Sequence, residues 1–137
     1  MRFDAICGGA LPEIRIAITH SRGKAARAIR RIEGRAASEN YEALAGVDAT
    51  TSCLRDEKTG DRLCIVWMTP FTGYSAAADA ALLAHEAVHV AIDYSRSIGE
   101  DDPSEELTAY IVQDITGYLV DRHFRWKKRA LRGEQEK

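Results

Sequence analysis

The chain lacks what several common protein classes require. Three cysteines in 137 residues, Cys7, Cys53 and Cys64, are too few and too unevenly spaced for a disulfide framework, so free thiols in a reducing, cytoplasmic compartment are expected. No apolar run reaches the roughly 18 residues of a membrane span. Even the alanine-rich stretch 76–92 is interrupted by Asp79, His85, Glu86 and His89. The amino-terminal stretch MRFDAICGGALPEIR has no long apolar region after its basic residue, which argues against a secretion signal. There is no internal repeat, and the length suits one domain over 1–137.

Charge is unevenly distributed although the net charge is only −2. Residues 79–121 hold ten acidic side chains and a single basic one, Arg96. Residues 22–35 hold six basic side chains against one glutamate, and 122–132 hold six more with none. An acidic block serves a cation or solvates a helix, and a basic block serves nucleic acid or solvates another.

Periodicity orders the elements. Ile14, Ile16 and Ile18 alternate as in a strand over Glu13–Thr19. Ser21 caps a helix whose stripe is Ala25, Ala28, Ile29 and Ile32, with Gly34 as its stop. Residues 36–45 fit no pattern. The stretch GVDATTSCLRDEKTGDRLCIVWM reads as a hairpin turning at Gly60. A long helix runs from Ser75 to about Ser97, with Gly99 beyond its end. A last helix follows an acidic loop, with Asp102 as cap and Pro103 first in the helix. Its buried face holds Leu107, Ile111, Ile115, Tyr118 and Leu119. Residues 125–137 read as a basic, loose tail. Strand, helix, hairpin, helix, helix make an α+β domain.

The long helix carries AHEAVH. His85 and His89, at i and i+4, project from one side of it a turn apart, the separation at which two imidazoles share one zinc ion. Glu86 is rotated by about 100° from His85, placed to act as general base on a metal-bound water. With four histidines in the chain, shuffling gives this HExxH pattern roughly once in a hundred trials. Burying these polar groups among Leu82, Leu83, Val88 and Ile92 would cost kilocalories unless something satisfies them, and a metal does. A third ligand has to come from elsewhere, and Glu105 and Glu106 head the next helix. Cys53 and Cys64 are rivals, although two small buried hairpin residues explain them as well. Asp93 is a candidate acceptor for a histidine N–H; Tyr94, Tyr110 and His123 are candidate oxyanion donors; His20 reads as a surface residue.

From Trp67 to Val120 the chain resembles the zincin metallopeptidases whose third ligand is a glutamate on the following helix. It is most similar to small metallopeptidases encoded by phages and prophages. In that pattern the glutamate precedes a small residue by three positions, and Glu106 with Ala109 in ELTAY fits it. Many zincins place an aspartate or asparagine next, where this chain has Tyr110. The resemblance implies a minimal zincin-like fold, a small mixed or antiparallel sheet packed on the HExxH helix and a C-terminal helix. It also implies one zinc ion per chain on His85, His89 and Glu106, and Glu86 as general base in peptide-bond hydrolysis. A peptide or protein substrate would pair with an edge strand, expected at Ile65–Thr69. The location would be the cytoplasm, of the host cell if the chain is phage-encoded. Two other readings stand beside it: a zinc-stabilised binding module touching nucleic acid or a protein through its basic helix and tail, and a zincin acting on proteins bound to DNA.

Overall fold

A computed structural model describes residues 1–6, 12–33 and 46–133. Its elements, in chain order, are β1 (Asp4–Ile6), β2 (Ile14–Thr19), α1 (Arg22–Glu33), β3 (Ala49–Arg55), β4 (Arg62–Met68), α2 (Ala76–Ser97) and α3 (Glu105–Leu131). The expected stop at Gly34 and the unassigned stretch 36–45 lie outside the described residues.

The four strands form one mixed sheet in the order β1-β2-β4-β3, with β2 and β4 parallel and the other pairs antiparallel. Strand β4 lies inside the sheet and is covered on both faces, so Leu63 to Met68 are all buried without alternation. On one face Ala25, Ala26 and Ile29 of α1 pack on Leu54, Ile65 and Trp67. On the other, Ile14, Ile16, Cys64, Val66 and Met68 meet Leu83, Ala87 and Val90 of α2 and Ile111, Ile115 and Leu119 of α3. The result is an α+β domain of three layers, with α1 on one side and the α2–α3 pair on the other.

The long helix matches its sequence signals. Ser75 caps α2 by accepting from the Ala78 amide, and Gly99 takes φ 83° just past its end. No helix among the described residues is long and apolar enough to cross a membrane.

Three expectations need correction, and one strand goes beyond them. Strand β4, expected at Ile65–Thr69 as the sheet's edge, is paired on both sides, and β3 is the edge instead. The cap of α3 is Ser104, whose side chain accepts from the Leu107 amide, so Pro103 precedes the helix and Asp102 does not cap it. Residues 125–131 are helical and anchored, since Lys127 reaches the buried Asp79 and Trp126 stacks on His20 at 3.9 Å. Strand β1 was not anticipated, because three residues are too few to show a period. Asp4 in β1 receives the Tyr118 hydroxyl of α3 at 2.9 Å and pairs with Arg122.

Candidate active site

Helix α2 buries a stripe made of Asp79, Leu83, Glu86, Ala87, Val90, Ala91, Tyr94 and Ser95. Glu86 is part of that stripe at 4% exposure, while His85 and His89 fall just beside it and remain exposed. The cost of burial therefore falls on Glu86 and not on the histidines, because Val88 and Ile92 also face outwards at 41% and 44% exposure. The Glu86 carboxylate is held from the sheet side, where Thr51 of edge strand β3 donates its hydroxyl to Oε2 at 2.7 Å. That bond sets Thr51 level with Glu86 across the gap between helix and strand.

The gap is a cleft of about 470 Å³ lined on one wall by Ala49, Thr50, Thr51 and Cys53, and on the other by His85, Glu86, His89 and Asp93. Both histidines and the glutamate thus open on one space beside a strand edge that is unpaired among the described residues. The His85 and His89 Nε2 atoms are 3.1 Å apart and the rings meet edge to face at 76°. Two nitrogens on a tetrahedral ion, each at 2.0–2.1 Å, lie about 3.3–3.4 Å from one another, so the pair fits as two ligands with little adjustment. An N–H···N bond between neutral rings also suits this distance.

The third expected ligand is not brought to them. Asp79 near the start of α2 meets His123 and Lys127 near the end of α3, so the two helices are antiparallel. Glu106, in the first turn of α3, then lies beside the last turns of α2. His89 is eight residues before Ser97, which is about 12 Å along the axis. Among the described residues His85, His89 and Glu106 form no group with ligand atoms within 4.8 Å of one another, and Glu106 does not line the cleft. It is exposed and makes no hydrogen bond or ion pair there. Glu105 is exposed in the same turn.

The remaining candidates are settled by their contacts. Cys53 and Cys64 form a disulfide, correcting the expectation of free thiols. They stand directly opposite in the β3–β4 ladder with Cα atoms 4.1 Å apart, so their side chains share one face of the sheet. Their sulfurs and an Asp93 oxygen are the one group of three metal-ligating atoms within 4.8 Å among the described residues. A disulfide does not supply thiolate ligands, and Asp93 is paired through both oxygens with Arg62. Tyr94 is a core residue whose hydroxyl donates to the Pro12 carbonyl at 2.6 Å. Tyr110 is 58% exposed and outside the cleft.

His123 and His20 belong to a separate cluster, and neither lines the cleft. Asp79 and His123 are fully buried. Asp79 accepts from Thr72 at 2.5 Å and from Lys127 at 2.9 Å, and its Oδ2 faces His123 Nε2 at 3.4 Å. A carboxylate only accepts, so His123 carries its proton on Nε2, and its Nδ1 accepts from His20 Nε2 at 2.9 Å. Burial raises the Asp79 carboxyl, but the hydrogen bonds from Thr72, Lys127 and His123 outweigh it and hold the group below its usual 3.8. Burial, then the neighbouring His123, pushes His20 down to about 3. His20 is thus a partly buried, stacked residue and not a surface one. The sequence signal for this cluster was the position of Asp79, four residues before Leu83 on the buried stripe.

No family model, curated protein or solved structure matches the chain.

Proposed function

We propose that the protein is a zinc-dependent metallopeptidase whose reaction takes place in the cleft between α2 and β3. One observation carries the reading: two histidines with Nε2 atoms at ligand-pair distance and a buried, oriented glutamate open on the same cleft, next to a free strand edge. His85 and His89 would hold the ion; Glu106, which has no partner among the described residues, is kept as the proposed third ligand, and joining them would require the first turn of α3 to move by roughly 12 Å along α2. A zinc ion so bound would supply a water of lowered pKa, near 7, and a Lewis acid for the carbonyl oxygen.

The chain's own contributions follow from its residues. Glu86 takes the proton of the attacking water on its carboxylate and passes it to the leaving amine. Thr51, by occupying Oε2, keeps that carboxylate turned towards the strand side of the cleft. Strand β3 offers unpaired backbone groups to an extended peptide, which binds by main-chain pairing with little sequence demand of its own. Exposure of the histidines favours catalysis over a closed structural site, since a catalytic ion keeps a position open to solvent.

A cytoplasmic location belongs to the proposal, and the bonded Cys53–Cys64 pair weighs against it because reducing compartments keep thiols apart. Thiol titration of protein quenched rapidly at lysis decides between them.

Glu86→Gln is the test of function. The amide preserves shape and metal site but does not accept a proton. Chelator-sensitive hydrolysis of casein or a mixed peptide library is expected to fall by about 10²–10⁴-fold, with zinc content unchanged. Wild-type turnover by the variant would overturn the assignment. Glu106→Gln is expected to weaken zinc binding, and full retention would remove Glu106 from the ligand set.

A further inference from the structure

Beyond Asp93 lies a second cavity of about 630 Å³. Asp93 lines both, and the disulfide is their common wall, with Cys53 on the first and Cys64 on the second. Three arginines border this second space: Arg55 at the end of β3, Arg62 directly opposite it on β4, and Arg96 one turn beyond Asp93 on α2. Two like charges facing each other across a ladder disfavour the strand pair. Asp93 neutralises Arg62. The side chains of Arg55 and Arg96 are exposed and have no ion-pair or hydrogen-bond partner among the described residues. Glu13 is the other acid on the rim. Three arginines against Asp93 and Glu13 leave one positive charge in excess, with two guanidinium groups open to a ligand.

We propose, resting on the peptidase reading above, that this cavity binds a carboxylate of the peptide substrate and so selects acidic substrates. An extended peptide lying along β3 passes Thr51, level with Glu86, and reaches Arg55 four residues later. At about 3.3 Å per residue that is ~13 Å, so the carboxylate sits about four residues from the hydrolysed bond. Guanidinium is the group suited to it, because its planar fork meets both carboxylate oxygens at once. Arg55 and Arg96 are the specificity-determining pair, and Arg62, already paired, holds Asp93 between the two cavities. The carboxylate belongs to an aspartate or glutamate side chain or to the peptide's own C-terminus.

The test reads binding as well as cleavage. The probe is a fluorescein-labelled set of nonapeptides of alanine, valine and threonine, each with one glutamate at a different position. Every member has a glutamine counterpart, and both are made as the free acid and as the C-terminal amide. Fluorescence anisotropy with the Glu86→Gln protein is expected to show glutamate at one position, or the free acid over the amide, binding about tenfold tighter or more. The preference should shrink as salt is raised, and Arg55→Gln and Arg96→Gln should each reduce it. Comparison of acid with amide identifies the source of the carboxylate. Equal binding of the glutamate and glutamine sets, with acid and amide also equal, overturns the proposal, as does a preference that survives both arginine substitutions. The peptidase reading fails separately: an arginine-dependent preference without hydrolysis by the wild-type protein leaves the carboxylate site standing and removes the enzyme.

Discussion

Two groups of histidines sit at different depths in this domain and do opposite things with their polarity. His20 and His123 are locked between Trp126, Asp79 and Lys127, with His20 Nε2 and both nitrogens of His123 partnered there. Among the described residues, His85 and His89 have only one another and the solvent of the cleft. A buried polar network that is satisfied locks helices together. An exposed pair whose ring nitrogens converge, with an oriented carboxylate next to it, is instead available to a ligand. The difference teaches that a histidine is a structural element where its hydrogen bonds close on the protein, and is left open to a ligand where they do not.

Replacing Asp79 breaks the first group most severely. Asp79→Ala leaves the Lys127 ammonium and His123 without their acceptor at the junction of α2 and α3. A loss of about 1–3 kcal/mol in unfolding free energy is expected, since the buried His123 N–H loses its acceptor and the partly exposed Lys127 loses its counter-charge. Urea titration measures it, and a loss below about 1 kcal/mol would show the network to be dispensable.

Reduction of Cys53–Cys64 comes next. The residues are 11 apart in sequence, and closing so short a loop contributes at most ~3 kcal/mol to stability. Paired strands already hold these residues together, so the measured loss with Cys53→Ser or Cys64→Ser should fall below that bound. Zinc content should not change with either variant.

Acid acts on the first group more gently. His20 is held neutral down to about pH 3, whereas in the unfolded chain it protonates near 6.5. Between those values the unfolded state binds more protons, so stability is complete above pH 6.5 and declines as pH falls. The slope approaches ~1.4 kcal/mol per pH unit for one ring. The lowered Asp79 carboxyl has the ordinary carboxylate sign: its contribution is present above about 3.8 and is lost below it. Denaturant titrations from pH 8 to 4.5 are expected to give a flatter curve for His20→Gln than for the wild type.

The second group should be almost silent by this measure. In chelator-treated protein His85→Ala and His89→Ala are expected to change stability by no more than about 0.5 kcal/mol, as exposed substitutions do. Added zinc should then raise the melting temperature of the wild type and not of either variant, because only a binding-competent native state gains from the ligand.

Much of this contrast was legible in the chain, and what was missed has a common cause. Ser75, Gly99 and Gly60 marked boundaries because each acts through local backbone geometry. His85, Glu86 and His89 were legible because their spacing along one helix fixes their relation. Relations across elements left no such mark. The pairing of Cys53 with Cys64 depends on hairpin register, and the edge position of β3 depends on β2 pairing in parallel with β4. The burial of His20 depends on Trp126, 106 residues later, and residues 125–131 looked like a loose tail until Lys127 met Asp79. Glu106 was assigned by resemblance, and the antiparallel packing of α2 and α3 sets it away from the cleft.

The central claim is that the His85–His89 pair is a metal site and the His20–His123 pair is not. Elemental analysis of protein purified without chelator, for the wild type, His85→Ala, His89→Ala and His20→Ala, tests it most directly. The account predicts close to one zinc per chain in the wild type and in His20→Ala, and loss of the metal in both His85→Ala and His89→Ala. A wild-type protein that takes up no zinc even when it is supplied in excess, or full zinc retained by His85→Ala and His89→Ala, would contradict it.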